Sequence, residues 1–298
     1  MVATTDDLIA PDVVGNGVPD GDIPSIETSG GLSLPAVGLG TYRLNGPEGA
    51  QSICSAIDTG YRLLDSAFNY ENEGTVGAAV RRCGVPREQI IVTSKLPGRH
   101  QAYDEALTTI YESVYRTGLD WIDLYLIHWP LPRLNLYVQA WRALIEARER
   151  GIVRHIGVSN FLPEHLQRLV DETGVPAEVN QIEMHPYFPQ LDAIAYHRAH
   201  GIVTEAWSPL GRGNDLLTNP VITEIAAGHG VSPGRVLLAW NVALGAIPLP
   251  KAASPARQRA NLDLFTFELT LDQVGRITAL GRPDGRIDGQ DPATHEEF

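Results

Sequence analysis

From Val37 onward, short apolar runs alternate with longer stretches of helical periodicity, and the alternation recurs eight times. The apolar runs lie near 37–42, 62–66, 90–95, 123–128, 155–159, 178–183, 202–207 and 245–249. Helical patterns follow near 47–60, 72–84, 101–118, 137–151, 163–174, 190–200, 219–241 and 255–262. Gly228, Gly230 and Pro233 interrupt the seventh of these, which is therefore expected as two pieces. Such alternation predicts parallel strands joined by crossover helices. Eight units with no change of composition between them favour a closed barrel over a doubly wound sheet. The dinucleotide fingerprint of the open sheet is also missing: no G-x-G-x-x-G follows a strand, and Gly38-Leu39-Gly40 leads into Thr41-Tyr42-Arg43 rather than a helix start. The predicted fold class is α/β, a (β/α)8 TIM barrel.

The 298 residues leave room for extensions around a barrel of roughly 250. Ile23 to Ser33 reads as a hairpin around Ser29-Gly30-Gly31, and an amphipathic helix near 270–281 precedes a polar C-terminal segment. Residues 1–22 are expected as an acidic, flexible leader and 23–298 as a single barrel domain. A net charge of -13 argues against nucleic acid or an anionic membrane as a partner. Cys54 and Cys83 fall inside helical patterns away from any His cluster, so free thiols are expected rather than a metal site or a disulfide. With neither a signal-like start nor a run long enough to span a bilayer, a soluble cytoplasmic protein is expected, monomeric or weakly homo-oligomeric.

In barrels of this kind function collects at the C-terminal ends of the strands. There the chain places Asp65, with Tyr70 shortly after it, then Lys95, then His128, on three successive strands. Lysine is scarce: Lys95 and Lys251 stand alone against 21 arginines, and each ends an apolar run. Where arginine has replaced lysine so widely, the survivors mark places that need a compact ammonium. A phenol is a poor acid at neutral pH unless its anion is stabilised, an adjacent ammonium does this, and a buried ammonium needs a carboxylate. Asp65, Lys95 and Tyr70 supply that relay, and His128 could orient a carbonyl oxygen. Singly each has an ordinary explanation as a helix cap, rim packing or a satisfied polar group. Together they point to a general acid aimed at a C=O group.

With these residues in place the chain resembles the aldo-keto reductase superfamily, whose tetrad is Asp, Tyr, Lys and His. The resemblance rests on Gly38-Leu39-Gly40-Thr41-Tyr42, Asp65-Ser66-Ala67 with Tyr70 and Asn72-Glu73, Ser94-Lys95-Leu96, Leu126-Ile127-His128-Trp129-Pro130, Gly157-Val158-Ser159-Asn160-Phe161 and Asn180-Gln181-Ile182-Glu183. It looks closest to the bacterial 2,5-diketo-D-gluconate reductase branch, because Trp207 stands where many mammalian members have Tyr. The resemblance implies NADPH as cofactor and a small carbonyl compound as substrate. It implies that Ser159, Asn160 and Gln181 hold the nicotinamide carboxamide and that Trp207 stacks on the ring. Gly40, Thr41, Asp65, Ser208 and Leu210 are further implied contacts to the cofactor. Lys251, Arg257 and Asn261 would meet the adenosine 2'-phosphate and adenine, although Ala252 and Ala260 replace a Ser and a Glu of the family pattern.

Tyr42, Phe68, Pro97 and Trp129 are the expected substrate wall. Many relatives carry Trp after Lys-Leu, whereas Leu96 here is followed by Pro97-Gly98, so that wall should be opened or reshaped. The resemblance also implies a C-terminal loop over the pocket, with Arg282 and Arg286 as candidates for meeting an anionic substrate. Two other readings remain. A lysine at a strand end can form a Schiff base in a lyase, and the scaffold could serve as a catalytically weak NADP(H)-binding sensor.

Overall fold

The computed structural model describes residues 23–297, so the expected leader lies outside the described residues. The chain begins with an antiparallel hairpin, β1 (Ser25–Glu27) against β2 (Ser33–Pro35), in register through Ile26 and Leu34. Eight parallel strands follow: β3 (Leu39–Gly40), β4 (Leu63–Asp65), β5 (Ile91–Leu96), β6 (Ile122–Ile127), β7 (Val153–Ser159), β8 (Val179–Glu183), β9 (Val203–Trp207) and β10 (Ala246–Pro248). Each pairs with the next in chain order. Gly38 N donates to Pro248 O at 3.1 Å and Gly40 N to Pro250 O at 3.2 Å, while Gly40 bridges Lys251, so the last strand meets the first and the barrel closes.

This seam explains why the outermost strands are shorter than their apolar runs. Pro248 and Pro250 offer carbonyls but no N–H, so β10 accepts from β3 at those positions without donating. A Cβ at Gly40 would lie 2.7 Å from Leu249 O, which only glycine avoids. Directly afterwards Leu44 N bonds Thr41 O and turns the chain, ending β3 before the expected residue 42.

Inside the barrel, Leu63, Leu124, Leu126, Val179, Val203, Ile247 and Leu249 form one buried cluster with Leu34 of the hairpin. Leu63, Val179 and Val203 begin their strands, so the hairpin floors the N-terminal end. Thr28 Oγ1 and His155 Nδ1 both bond Glu178 Oε2, at 2.9 and 2.8 Å, and pin the floor in place. The opposite end is left for chemistry.

The helices around the barrel are α1 (Gly46–Thr59), α2 (Glu73–Arg82), α3 (Tyr103–Thr117), α4 (Tyr137–Glu149), α5 (Pro163–Thr173), α6 (Leu191–Ala199), α7 (Pro220–His229), α8 (Pro233–Ala243), α9 (Pro255–Leu262) and α10 (Leu271–Thr278). The long pattern at 219–241 splits into α7 and α8 as expected: Gly230 takes φ 67° at the end of one, and Pro233 opens the next. Thr270 and Gln273 exchange side-chain and backbone bonds at the start of α10, a capping box. Cys54 and Cys83 are free and partly buried against the α1–α2 core. Among the described residues no helix is long and apolar enough to cross a membrane.

Candidate active site

Lys95 on β5 is wholly buried, and its Nζ donates to Asp65 Oδ1 at 2.6 Å and to Ser66 O at 2.7 Å. Its neighbour Ser94 points the other way, toward the Glu73 carboxylate on α2. Tyr70 arrives on a single 3-10 turn, Phe68–Tyr70, which Glu71 ends in the left-handed region at φ 53°. That turn puts the phenol ring 5.0 Å from Lys95 Nζ. Asn72 is its strut: the buried side chain accepts from Ser66 Oγ and donates to Thr41 O, each at 2.7 Å. His128 stands one residue past β6, with its amide on Leu96 O at 3.1 Å and its ring 6.0 Å from that of Tyr70. The four residues expected to converge therefore do so, around one ammonium.

Burial pushes the Tyr70 phenol above its ordinary value, and the Lys95 ammonium opposes this shift without cancelling it. Burial, the largest single influence, would draw Lys95 down, but the Asp65 carboxylate, Tyr70 and Glu205 together more than offset it and the amine is raised, held as the cation. Behind this pair lies an acid that the sequence reading did not single out. Gln181 Nε2 donates both to Asp65 Oδ1 at 2.9 Å and to Glu205 Oε2 at 2.8 Å. Glu205, on β9, is fully buried and its Oε1 has no partner. Burial and the nearby Asp65 push its carboxyl up to about 7.

A cavity of about 620 Å³ opens over the tetrad. Asp65, Tyr70 and His128 line it, whereas Lys95 lies beneath and does not. Ser159, Asn160, Gln181 and Trp207 line it at the ends of β7, β8 and β9. Asn160 follows β7 at φ 63°; its amide donates to His128 O and Ser159 Oγ at 3.0 Å and accepts from Trp207 Nε1 at 2.8 Å. One asparagine thus ties the indole to the corner that holds His128. Gly40, Ser208, Leu210 and Lys251 line the cavity further along, and Tyr42 and Trp129 contribute to its wall.

Other expected residues lie elsewhere. Thr41 is buried, with its hydroxyl donating to Asp65 O, and it shapes the site from behind. Phe68 sits under the Arg116 guanidinium at 3.7 Å and lines a separate recess with Asn69 and Arg99. Pro97 is not among the cavity-lining residues. Of the three residues expected at the phosphate, only Lys251 reaches the cavity. Arg257 is exposed on α9, and Asn261 is buried beside the Tyr61 hydroxyl. Arg282 and Arg286 do not face the cavity. They stack over Tyr187 and Phe188 at 4.1 and 4.5 Å and lie 3.4 and 4.0 Å from the Asp284 and Asp291 carboxylates.

The lining also includes Arg43, next to Tyr42, then Arg212 and Leu217, and, from the tail expected as a loop over the pocket, Gln290, His295 and Glu297. Arg212, in the loop after β9, pairs with Asp288 of the tail at 2.8 Å. Glu205 had a signal, since it lies two residues before Trp207 on the same inward face and is an acid in an apolar strand. The tail residues had none, for they belong to no periodic element.

The family model described as "Aldo/keto reductase family" matches residues 36–282. The chain is 52% identical over 277 residues to the 2,5-diketo-D-gluconic acid reductase B of a Corynebacterium species, covering 93% of this chain and 99% of that one. It is 42% identical to the morphine 6-dehydrogenase of Pseudomonas putida, covering 87% of this chain and 92% of that protein. A solved structure of a Gox0644 variant in complex with NADPH superposes with a TM-score of 0.88 at 39% identity, over 93% of this chain and all of the other.

Proposed function

The chain belongs to the aldo/keto reductase family, and on that premise we propose that it reduces an aldehyde or ketone to the alcohol with NADPH, Tyr70 giving the proton. The observation that carries this reading is the buried Lys95 ammonium, held by Asp65 and Ser66 and set 5.0 Å from the Tyr70 ring at the floor of the cavity. When bound, NADPH supplies the hydride to the carbonyl carbon. The protein's part is the oxygen. His128 donates to it and orients it, Tyr70 protonates it as negative charge develops, and Lys95 stabilises the phenolate left behind. Asp65 keeps Lys95 charged and in place.

The donor set suits the cofactor. Ser159, Asn160 and Gln181 present hydroxyl and amide groups to a carboxamide, and Trp207 offers a flat face beside them. Lys251 lies further along the same cavity, and Arg257 on the adjacent helix is the second cation for a phosphate. Their preference for the 2'-phosphorylated cofactor is part of the proposal. The two named relatives act on an acid and on an alkaloid, so no substrate passes from them to this chain beyond the carbonyl–alcohol class. The same reading takes the enzyme as cytoplasmic and as a monomer or weak homo-oligomer.

Schiff-base chemistry is disfavoured by the placement of Lys95. Its nitrogen is spent on two short hydrogen bonds, is fully buried and does not reach the cavity. A non-catalytic sensor would have no use for a complete proton relay. Tyr70→Phe is the decisive variant: NADPH oxidation with a panel of aldehydes and ketones should fall by roughly a hundredfold or more, while NADPH binding, read by quenching of tryptophan fluorescence, stays near the parent's. Near-normal turnover in the Phe variant would remove Tyr70 as the acid.

A further inference from the structure

The C-terminal segment from 281 onward carries five acids and two arginines, with little apolar side chain to bury. Glu297 nevertheless ends in a built socket. Its Oε1 accepts from Asn69 Nδ2 at 2.7 Å and lies 2.8 Å from His128 Nδ1, and its Oε2 accepts from Gly98 N at 3.1 Å. Asn69 precedes Tyr70 and is itself oriented by Arg99, which donates to its Oδ1 at 2.6 Å. A Cβ at Gly98 would come within 2.6 Å of Glu297 O. The Pro97-Gly98 step, expected to open the wall, therefore makes room for the Glu297 backbone and offers its N–H to the carboxylate. The neighbours seat it: Glu296 accepts from Arg133 N at 2.9 Å, and the His295 ring packs on Trp129 at 4.4 Å. Burial would raise the Glu297 carboxyl, but His128, Asn69 and Gly98 more than offset this and hold it at about 2, fully ionised.

We propose that Glu297 is a positioning residue for the reduction, a tail-borne carboxylate that takes His128 Nδ1–H and leaves Nε2–H to donate to the substrate oxygen. Nδ1 is the buried ring nitrogen, and the ring lies on the wall of the cavity beside Tyr70. The Nδ1 contact is close but not aligned as a hydrogen bond. Catalytic contacts of this kind tighten when the substrate is bound. A ring that faces a carboxylate with one nitrogen and a carbonyl with the other needs a proton on both. Glu297 thus supplies the counter-charge for the imidazolium that polarises the substrate. The tail becomes part of the chemistry rather than only a cover.

This inference rests on the proposed carbonyl reduction, and the test separates the two. The full chain is assayed with NADPH and a small uncharged aromatic aldehyde, as the parent, Glu297→Gln and Glu297→Asp. The expected result is a fall in kcat of roughly ten- to a hundredfold for Gln, with NADPH binding unchanged and part of the rate recovered by Asp. In 15N spectra of histidine-labelled enzyme the His128 Nδ1–H signature should be lost in the Gln variant and kept in the Asp variant. Parental or faster turnover by Glu297→Gln, or a loss confined to KM, would make the tail carboxylate a wall or a plug and overturn the proposal. If the parent reduces no carbonyl compound at all, it is the reduction itself that fails.

Discussion

Glu205 sits where a charge is least tolerated, sealed behind the tetrad with one oxygen on Gln181 and the other without a partner. Folded, it keeps its proton up to about pH 7; unfolded, only to about 4.5. Across that window the folded chain binds more protons, so stability due to this group is present below pH 4.5 and is lost as pH rises toward 7. Glu205→Gln keeps an acceptor for Gln181 and removes the titration. Urea unfolding of the parent should therefore weaken by roughly 3 kcal/mol more than that of the Gln variant between pH 4.5 and pH 8. Parallel curves for the two proteins would assign the loss elsewhere. Asp65, Lys95 and His128 were legible in the sequence because a strand end in a barrel has a known address. Beyond the Asp65–Lys95 pair, the contacts that hold the site together were not. Gln181 reaches Asp65 across 116 positions and Glu297 reaches Gly98 across 199, and no local pattern records such a meeting.

Among the elements, the β1–β2 hairpin shows how cleanly stability and chemistry are separated. Leu34 is wholly buried against the starts of the barrel strands, at the end away from Tyr70. Truncation there leaves a cavity among residues fixed by the closed sheet. Leu34→Ala should cost about 2–5 kcal/mol in chemical denaturation and leave kcat unchanged in the folded fraction. A matching drop in kcat would mean that the floor is coupled to the rim. The barrel strands and the helices around them were readable from period alone, to within a few residues at their ends. What period could not supply were the short 3-10 turns, Phe68–Tyr70 above all, because three residues are too few to show one. Such turns are decided by tertiary bonds, here those of Asn72 and the left-handed Glu71.

At the scale of the whole molecule, the cavity runs between the loop after β9 and the tail, and Arg212 with Asp288 joins the two sides. Both side chains are about half exposed or more, so the pair is worth at most about 1 kcal/mol and is screened by salt. Asp288→Asn, or added salt, should speed cofactor release by no more than roughly fivefold in stopped-flow fluorescence. A much larger effect would show that the tail must leave before the cofactor can. The same plan has a practical consequence for labelling. Of the two lysines, Lys95 is sealed inside and Lys251 is exposed at the cavity's edge. An acylating reagent therefore has one ε-amine within reach, and the rate at which Lys251 is modified becomes a direct titration of how full the cavity is.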